Sequence, residues 1–262
     1  MQPRPPLHYF LTVDAETPVI ADGVRTLSAI RQEVQREARV PIPMTWFVRF
    51  QRRWDDYNQP VLPTPQDWFD GFELLGPLAR ELASQGDEIG WHYHAYHYVA
   101  HPDLPHAERI AVLQADLTHC AETMRERHPD LTIEAFRFGW FFVPDQSVYP
   151  TLNAVGIRVD ASARPDLDGH PVSNFGIRRP PAIVQEPGIV DGVLCVPYLR
   201  TWTWHDWSLV AHEFQWHRLS VTEAAKAQSD FRHHLRKIAA EAWAHNGRFA
   251  TYGGFRRSGN WS

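Results

Sequence analysis

The sequence predicts one α/β domain over residues 1–262, folded as a distorted seven-stranded (β/α) barrel, and three observations carry that expectation. Apolar strand-like runs alternate along the chain with segments whose apolar residues recur at helical spacing. The chemically active polar residues fall at the ends of the runs rather than inside them. A composition of 44% hydrophobic and 22% charged residues can fill one large core, and no repeat, low-complexity tract or linker divides it.

Each element has its own signal. His8 to Asp14 is a buried strand, and Asp22 then caps a helix carrying Val24, Leu27, Ile30 and Val34 on one stripe. Met44 to Phe50 forms the second strand. An aromatic, proline-bearing stretch from Arg53 to Asp70 leads to a helix over Phe72 to Ser84, with Gly86 as its terminator. Asp87 to Tyr93 is the third strand, and a long helix follows with Ile110, Leu113, Leu117, Cys120 and Met124 on one face. Ile133 to Phe138 is the fourth strand, Gln146 to Val155 a helix, and Ile157 to Asp160 the fifth strand. Proline and glycine make loops or a short hairpin of Asp166 to Asp191, and Val193 to Tyr198 is the sixth strand. Ser220-Val221-Thr222-Glu223 is a capping box opening a helix to Trp243, after which Arg248 to Tyr252 is the last strand.

Charge and hydropathy exclude several function classes. The net charge is −5 with no block of like charges, which argues against nucleic acid as a partner. No window holds 18 continuous apolar residues, so no membrane partner is expected. The opening residues lack the apolar core of a signal peptide, and the expectation is a cytoplasmic protein. Cys120 and Cys195 fall at apolar positions and read as buried free thiols.

Three histidines crowd the run Gly90-Trp91-His92-Tyr93-His94-Ala95-Tyr96-His97 at the end of the third strand, and the first strand ends in Asp14-Ala15-Glu16. Side chains alternate along a strand, so Asp14 and Glu16 share one face, as do His92 and His94. Carboxylates and imidazoles converging at the C-terminal mouth of a parallel barrel suit a divalent ion, zinc best, which would polarise a carbonyl and acidify a water. Arg137 and Asp160 end two further strands at the same mouth. The aromatics of Trp202 to Trp216, with Trp46, Trp54, Tyr57 and Trp68, suit a rim that stacks on a sugar, although packing explains them nearly as well. The spacing from His212 to His217 fits no second metal site.

At this point the sequence resembles the polysaccharide deacetylase (NodB-homology) family of carbohydrate esterases. Leu11-Thr12-Val13-Asp14-Ala15-Glu16, Gly86-Asp87-Glu88-Ile89-Gly90-Trp91-His92, Phe136-Arg137-Phe138-Gly139-Trp140, Gly156-Ile157-Arg158-Val159-Asp160 and Gly192-Val193-Leu194-Cys195-Val196-Pro197 follow the family's motifs in order. The resemblance implies hydrolysis of an acyl, typically acetyl, group from an amino sugar or small amide. It makes Asp14 the general base, Glu16 the carboxylate ligand, and His92 with His94 or His97 the imidazole ligands. Arg137 would orient Asp14, Asp160 would steady Arg137, and a backbone N–H near Trp140 would stabilise the oxyanion.

The chain departs from the pattern in its glutamate ligand, in its histidine spacing, and in Phe249 to Phe255, which lacks the family's general-acid histidine. The unused histidine of His94 and His97, or His205 or His217, is left for that role. The alternative is a ligand-binding relative that keeps the metal pocket without turnover. A cupin or an amidohydrolase would need a different strand pattern around its His-x-His pair.

Overall fold

The computed structural model describes residues 8–15, 20–52, 68–99, 101–172, 177–198, 209–215 and 221–259. In chain order its strands are β1 (His8–Ala15), β2 (Thr45–Arg52), β3 (Trp68–Asp70), β4 (Glu88–Tyr93), β5 (Ala135–Phe138), β6 (Val159–Asp160), β7 (Gly188–Val190), β8 (Val193–Cys195), β9 (Leu209–Gln215) and β10 (Arg248–Phe249). Its helices are α1 (Ile20–Ala38), α2 (Gly71–Leu75), α3 (Pro77–Ser84), α4 (Tyr96–Val99), α5 (His106–Arg127), α6 (Tyr149–Ala154), α7 (Val221–Ala244) and α8 (Tyr252–Ser258). The main path of the sheet runs β10-β1-β2-β4-β5-β6-β8-β7, with β3 added to β2 and β9 to β1. Every pairing is parallel except β3 with β2 and β7 with β8. The result is a curled, parallel-rich sheet forming a half-barrel, with helices outside it.

Strand alternation divides the core in two. Leu11 and Val13 of β1, Trp46 and Val48 of β2, Trp91 of β4 and Phe136 of β5 face the helices, where they pack with Val24, Leu27, Val34, Leu113 and Leu117. The opposite positions, Phe10, Phe47, Ala135, Val159 and Leu194, gather with Tyr252 and Phe255 as a second cluster inside the curl. Because both faces are covered, these strands are apolar almost throughout, as parallel strands between two layers must be. Polar residues at interior positions are therefore conspicuous.

Four differences from the sequence expectations have local causes. Asp22 lies in the first turn of α1 rather than before it, where a carboxylate still favours the helix N-terminus. The helix expected over Phe72 to Ser84 is broken into α2 and α3 because Gly76 takes φ +53° and Pro77 starts a new first turn. Leu209–Gln215 pairs alongside β1 as an additional parallel strand, and with the short antiparallel β3 and β7 this makes ten strands rather than seven among the described residues. The final strand stops at Phe249, since Thr251 caps α8 by accepting from the Gly254 N–H at 3.1 Å. Cys120 and Cys195 are buried free thiols, as expected. Among the described helices none is long and apolar enough to cross a membrane.

Candidate metal centre

Asp14 is an interior position of β1 and Arg137 an interior position of β5, two strands separated in the sheet by β2 and β4. The curl nevertheless brings their side chains together: Arg137 Nη1 donates to Asp14 Oδ1 at 2.9 Å and to Thr12 Oγ1 at 3.0 Å. Arg137 Nε donates to the Ala161 carbonyl at 3.2 Å, and its guanidinium lies 4.2 Å from the centre of the Phe47 ring. Both partners are buried, with side-chain exposures of 0% and 3%, so the arginine supplies the counter-charge that a carboxylate in so dry a place requires. Tyr252 completes the group. Its hydroxyl lies 3.4 Å from Arg137 Nη2, its ring stacks on Phe10, and burial pushes its pKa above the usual tyrosine range.

The imidazoles enter from β4. His92 Nδ1 lies 4.0 Å from Asp14 Oδ1, and His92 Nε2 lies 3.1 Å from His94 Nε2. Two facing ring nitrogens need a proton or a cation between them. His94 is fixed from several sides: its backbone N–H donates to Gln51 Oε1 at 2.8 Å, Tyr96 stacks on its ring, and the Trp140 ring meets it edge-on at 4.4 Å. The turn after β5 makes room for it. A Cβ on Gly139 would sit 2.5 Å from three atoms of the His94 ring, so only glycine allows this approach. Trp140 and Phe141 then adopt φ 56° and 50°, left-handed conformations that cost non-glycine residues energy. Arg179 pins this turn by donating to the Trp140 carbonyl at 2.7 and 3.0 Å.

The third histidine goes elsewhere. His97 Nε2 lies 3.7 Å from Asp116 of α5, a carboxylate that also accepts from the Tyr93 hydroxyl at 2.6 Å and pairs with Arg52 at 3.1 Å. That group lies on the helix-facing side of β4 and fastens the strand end to α5. Of the two candidates for partner of His92, the structure brings up His94.

Asp160 corrects a second expectation. It pairs in register with Phe136, whereas Arg137 is the next residue along, so the two side chains leave opposite faces of the sheet. Asp160 instead accepts from the Tyr149 hydroxyl at 2.8 Å, from the Ser162 N–H at 3.1 Å and from the Ser162 hydroxyl. Burial raises its pKa to about 6 against the pull of these donors, and Arg137 reaches it only through the field. It anchors the sheet to α6 and shares no hydrogen bond with Arg137.

Trp46 is also no rim residue, being fully buried with its indole N–H on Asp87 Oδ2 at 2.9 Å. Trp68 stacks on Phe50 at the sheet's helix side. Glu16, Trp54, Tyr57, His205, His217 and the tryptophans from Trp202 to Trp216 lie outside the described residues, except for the backbone of the β9 segment.

Whether these residues suit a metal can be tested on the imidazole pair. Two nitrogens bonded to one tetrahedral zinc at about 2.0–2.1 Å stand about 3.3 Å apart. The observed 3.1 Å separation is within a few tenths of that span, and both rings are buried with a carboxylate beside them. The pair fits. Among the described residues no group of three potential ligands assembles, so the described part supplies two imidazoles, and the expected third ligand, Glu16, lies beyond it.

Sequence reasoning missed Thr12, Gln51 and Tyr252 as supports of the site. The signal was present in β2, where Thr45, Arg49 and Gln51 alternate with Trp46, Val48 and Phe50. Polar residues on one parity of such an apolar strand mark the side that faces a site. In comparisons with known proteins, the chain matched no protein-family description and no curated protein.

Proposed function

We propose that this protein is a metal-dependent hydrolase that removes an acyl group, most simply acetyl, from the nitrogen of an amino sugar or another small amide. In this reading the half-barrel is a barrel of the polysaccharide deacetylase type, built on the parallel strands around β1, β2, β4 and β5, working in the cytoplasm. One observation carries it: two imidazole nitrogens face each other at 3.1 Å beside a buried carboxylate paired with an arginine at 2.9 Å. His92 and His94, with Glu16, would hold the ion. A divalent ion held there, zinc by the preference of imidazole ligands, would supply polarisation of an acyl carbonyl and acidification of a water.

The chain's own residues supply the rest. Asp14 takes the proton from water, and Arg137 keeps it charged and aimed so that it is ready to do so. The left-handed turn at Trp140, pinned by Arg179, offers backbone N–H groups to the developing oxyanion. The leaving amine needs a proton. The segment Phe249–Phe255 offers Tyr252, which lies on Arg137 with its pKa raised by burial, and no histidine.

That last point favours a second reading, a relative that binds acylated ligands without cleaving them. Acetate release from a panel of N-acetylated amines by zinc-loaded protein separates the two. Hydrolysis that stops on chelation, returns with zinc and falls about 10²–10⁴-fold in Asp14→Asn supports the enzyme. Turnover indifferent to chelator removes it, and binding without release leaves the second reading.

A further inference from the structure

Arg49 occupies an interior position of β2, in register with His92 on the neighbouring strand, and neither the fold nor the proposed chemistry uses it. Its guanidinium lies 4.7 Å from the centre of the Phe69 ring and 5.7 Å from that of Tyr96, the same Tyr96 that stacks on His94. Among the described residues its buried Nε has no hydrogen-bond partner and no carboxylate pairs with it. Arg49 is partly buried, and two fully buried arginines of the fold are treated differently. Arg31 is matched by Asp87 at 3.1 Å and Arg137 by Asp14 at 2.9 Å.

A cation held between ring faces and left without a counter-charge is stable enough to persist, but its N–H edges are unspent. Aromatic flanks fix the plane of the guanidinium, and a planar fork in a fixed orientation recognises the paired oxygens of a carboxylate or phosphate. We propose that Arg49 is the recognition residue for an anionic group on the ligand, so that the site takes N-acylated amines bearing a carboxylate or a phosphate ester in preference to neutral ones. The inference takes the ligand's acyl-amine part from the proposed hydrolase reading. The anion preference itself rests on Arg49.

The test is equilibrium binding to the full chain, before and after chelation, with ligands matched in all but charge. One pair is N-acetylglycine and N-acetylglycinamide, and the other is N-acetylglucosamine with and without a phosphate ester, so that the two arms tell carboxylate from phosphate. The anionic member of at least one pair should bind about tenfold or more tightly than its neutral partner. Arg49→Gln should erase that preference while leaving the neutral ligand within about twofold, and Arg49→Lys should keep part of it. Equal binding of anionic and neutral members to wild type, absence of binding by either anion, or a preference that survives Arg49→Gln would each overturn the proposal; the wild-type comparison needs no variant to fold. Acetate release measured on the same samples keeps the two ideas apart. An Arg49-dependent preference without release defeats the hydrolase reading alone, and release without charge preference defeats the anion site alone.

Discussion

Gly139→Ala tests the metal centre without touching a ligand. The added Cβ would lie 2.5 Å from Cγ, Nδ1 and Cε1 of His94, whereas carbon contacts normally settle near 3.5–4.0 Å, so the ring must retreat by about 1 Å. It has little room, because Tyr96 stacks on it and Arg179 pins the Trp140 carbonyl in the turn that carries the new methyl. A shift of that size carries His94 Nε2 off its 3.1 Å separation from His92 Nε2, which already matches the span of one ion. Zinc affinity should fall about 10–100-fold, about 1.4–2.7 kcal/mol, as for other disturbances of ligand support. Gly139 is not in a left-handed conformation, so alanine brings no backbone strain. Gly247→Ala is the control, since its Cβ would meet the Tyr9 ring at 2.3 Å at the other end of β1. Both substitutions overpack and should cost about 1–3 kcal/mol of stability, but only the first should weaken zinc in competition with a chromophoric chelator. A Gly139→Ala protein that folds and binds zinc like wild type would refute the idea that His94 is held in place for an ion.

Arg137→Met should cost about 3–5 kcal/mol in urea denaturation, because Asp14 is left buried without its cation; adding Asp14→Asn should recover part of the loss, and strict additivity of the two would contradict the coupling. Asp160 gives a pH signature of the opposite sign from a salt-bridged carboxylate. Its folded pKa is raised to about 6, so the folded state keeps a proton that the unfolded chain gives up between about pH 4 and 6. Its contribution therefore declines as pH rises through that window, by about 3 kcal/mol in total, and Asp160→Asn should lose this slope relative to wild type. Parallel pH profiles for the two proteins would show that Asp160 is not the buried proton carrier.

The alternation of strands and helices was legible because burial on both faces makes parallel strands nearly continuous apolar runs, as in Tyr9-Phe10-Leu11-Thr12-Val13. What escaped depended on contacts beyond the local pattern. The β9 segment Leu209–Gln215, with its mixed Val210-Ala211-His212-Glu213, has no strong period and becomes a strand by pairing beside β1. The break at Gly76 overrode a helical period through two residues whose backbone preferences outweigh it. Asp70 hides a similar choice: it caps α2 through the Glu73 N–H at 3.0 Å while its carboxylate also takes His128 at 2.9 Å.

The site was legible to the extent that parity could be counted. Asp14 is an even step from Thr12 and Phe10, and His94 is an even step from His92, so their shared side follows from the pleat once the strand is placed. Parity also explains why Asp160 makes no direct contact with Arg137. Standing at a strand's C-terminal end puts a residue near the mouth of a barrel, but only the interior parity points it there, and the Phe136–Asp160 register gives Asp160 the parity of the helix side. The same count applied to β2 singles out Arg49 and Gln51, neither of which lies in a motif. Gln51 is used by the His94 backbone, whereas among the described residues no carboxylate takes the charge of Arg49. A motif identifies residues that perform chemistry common to many chains; parity identifies every side chain that shares their space, including those that choose the ligand.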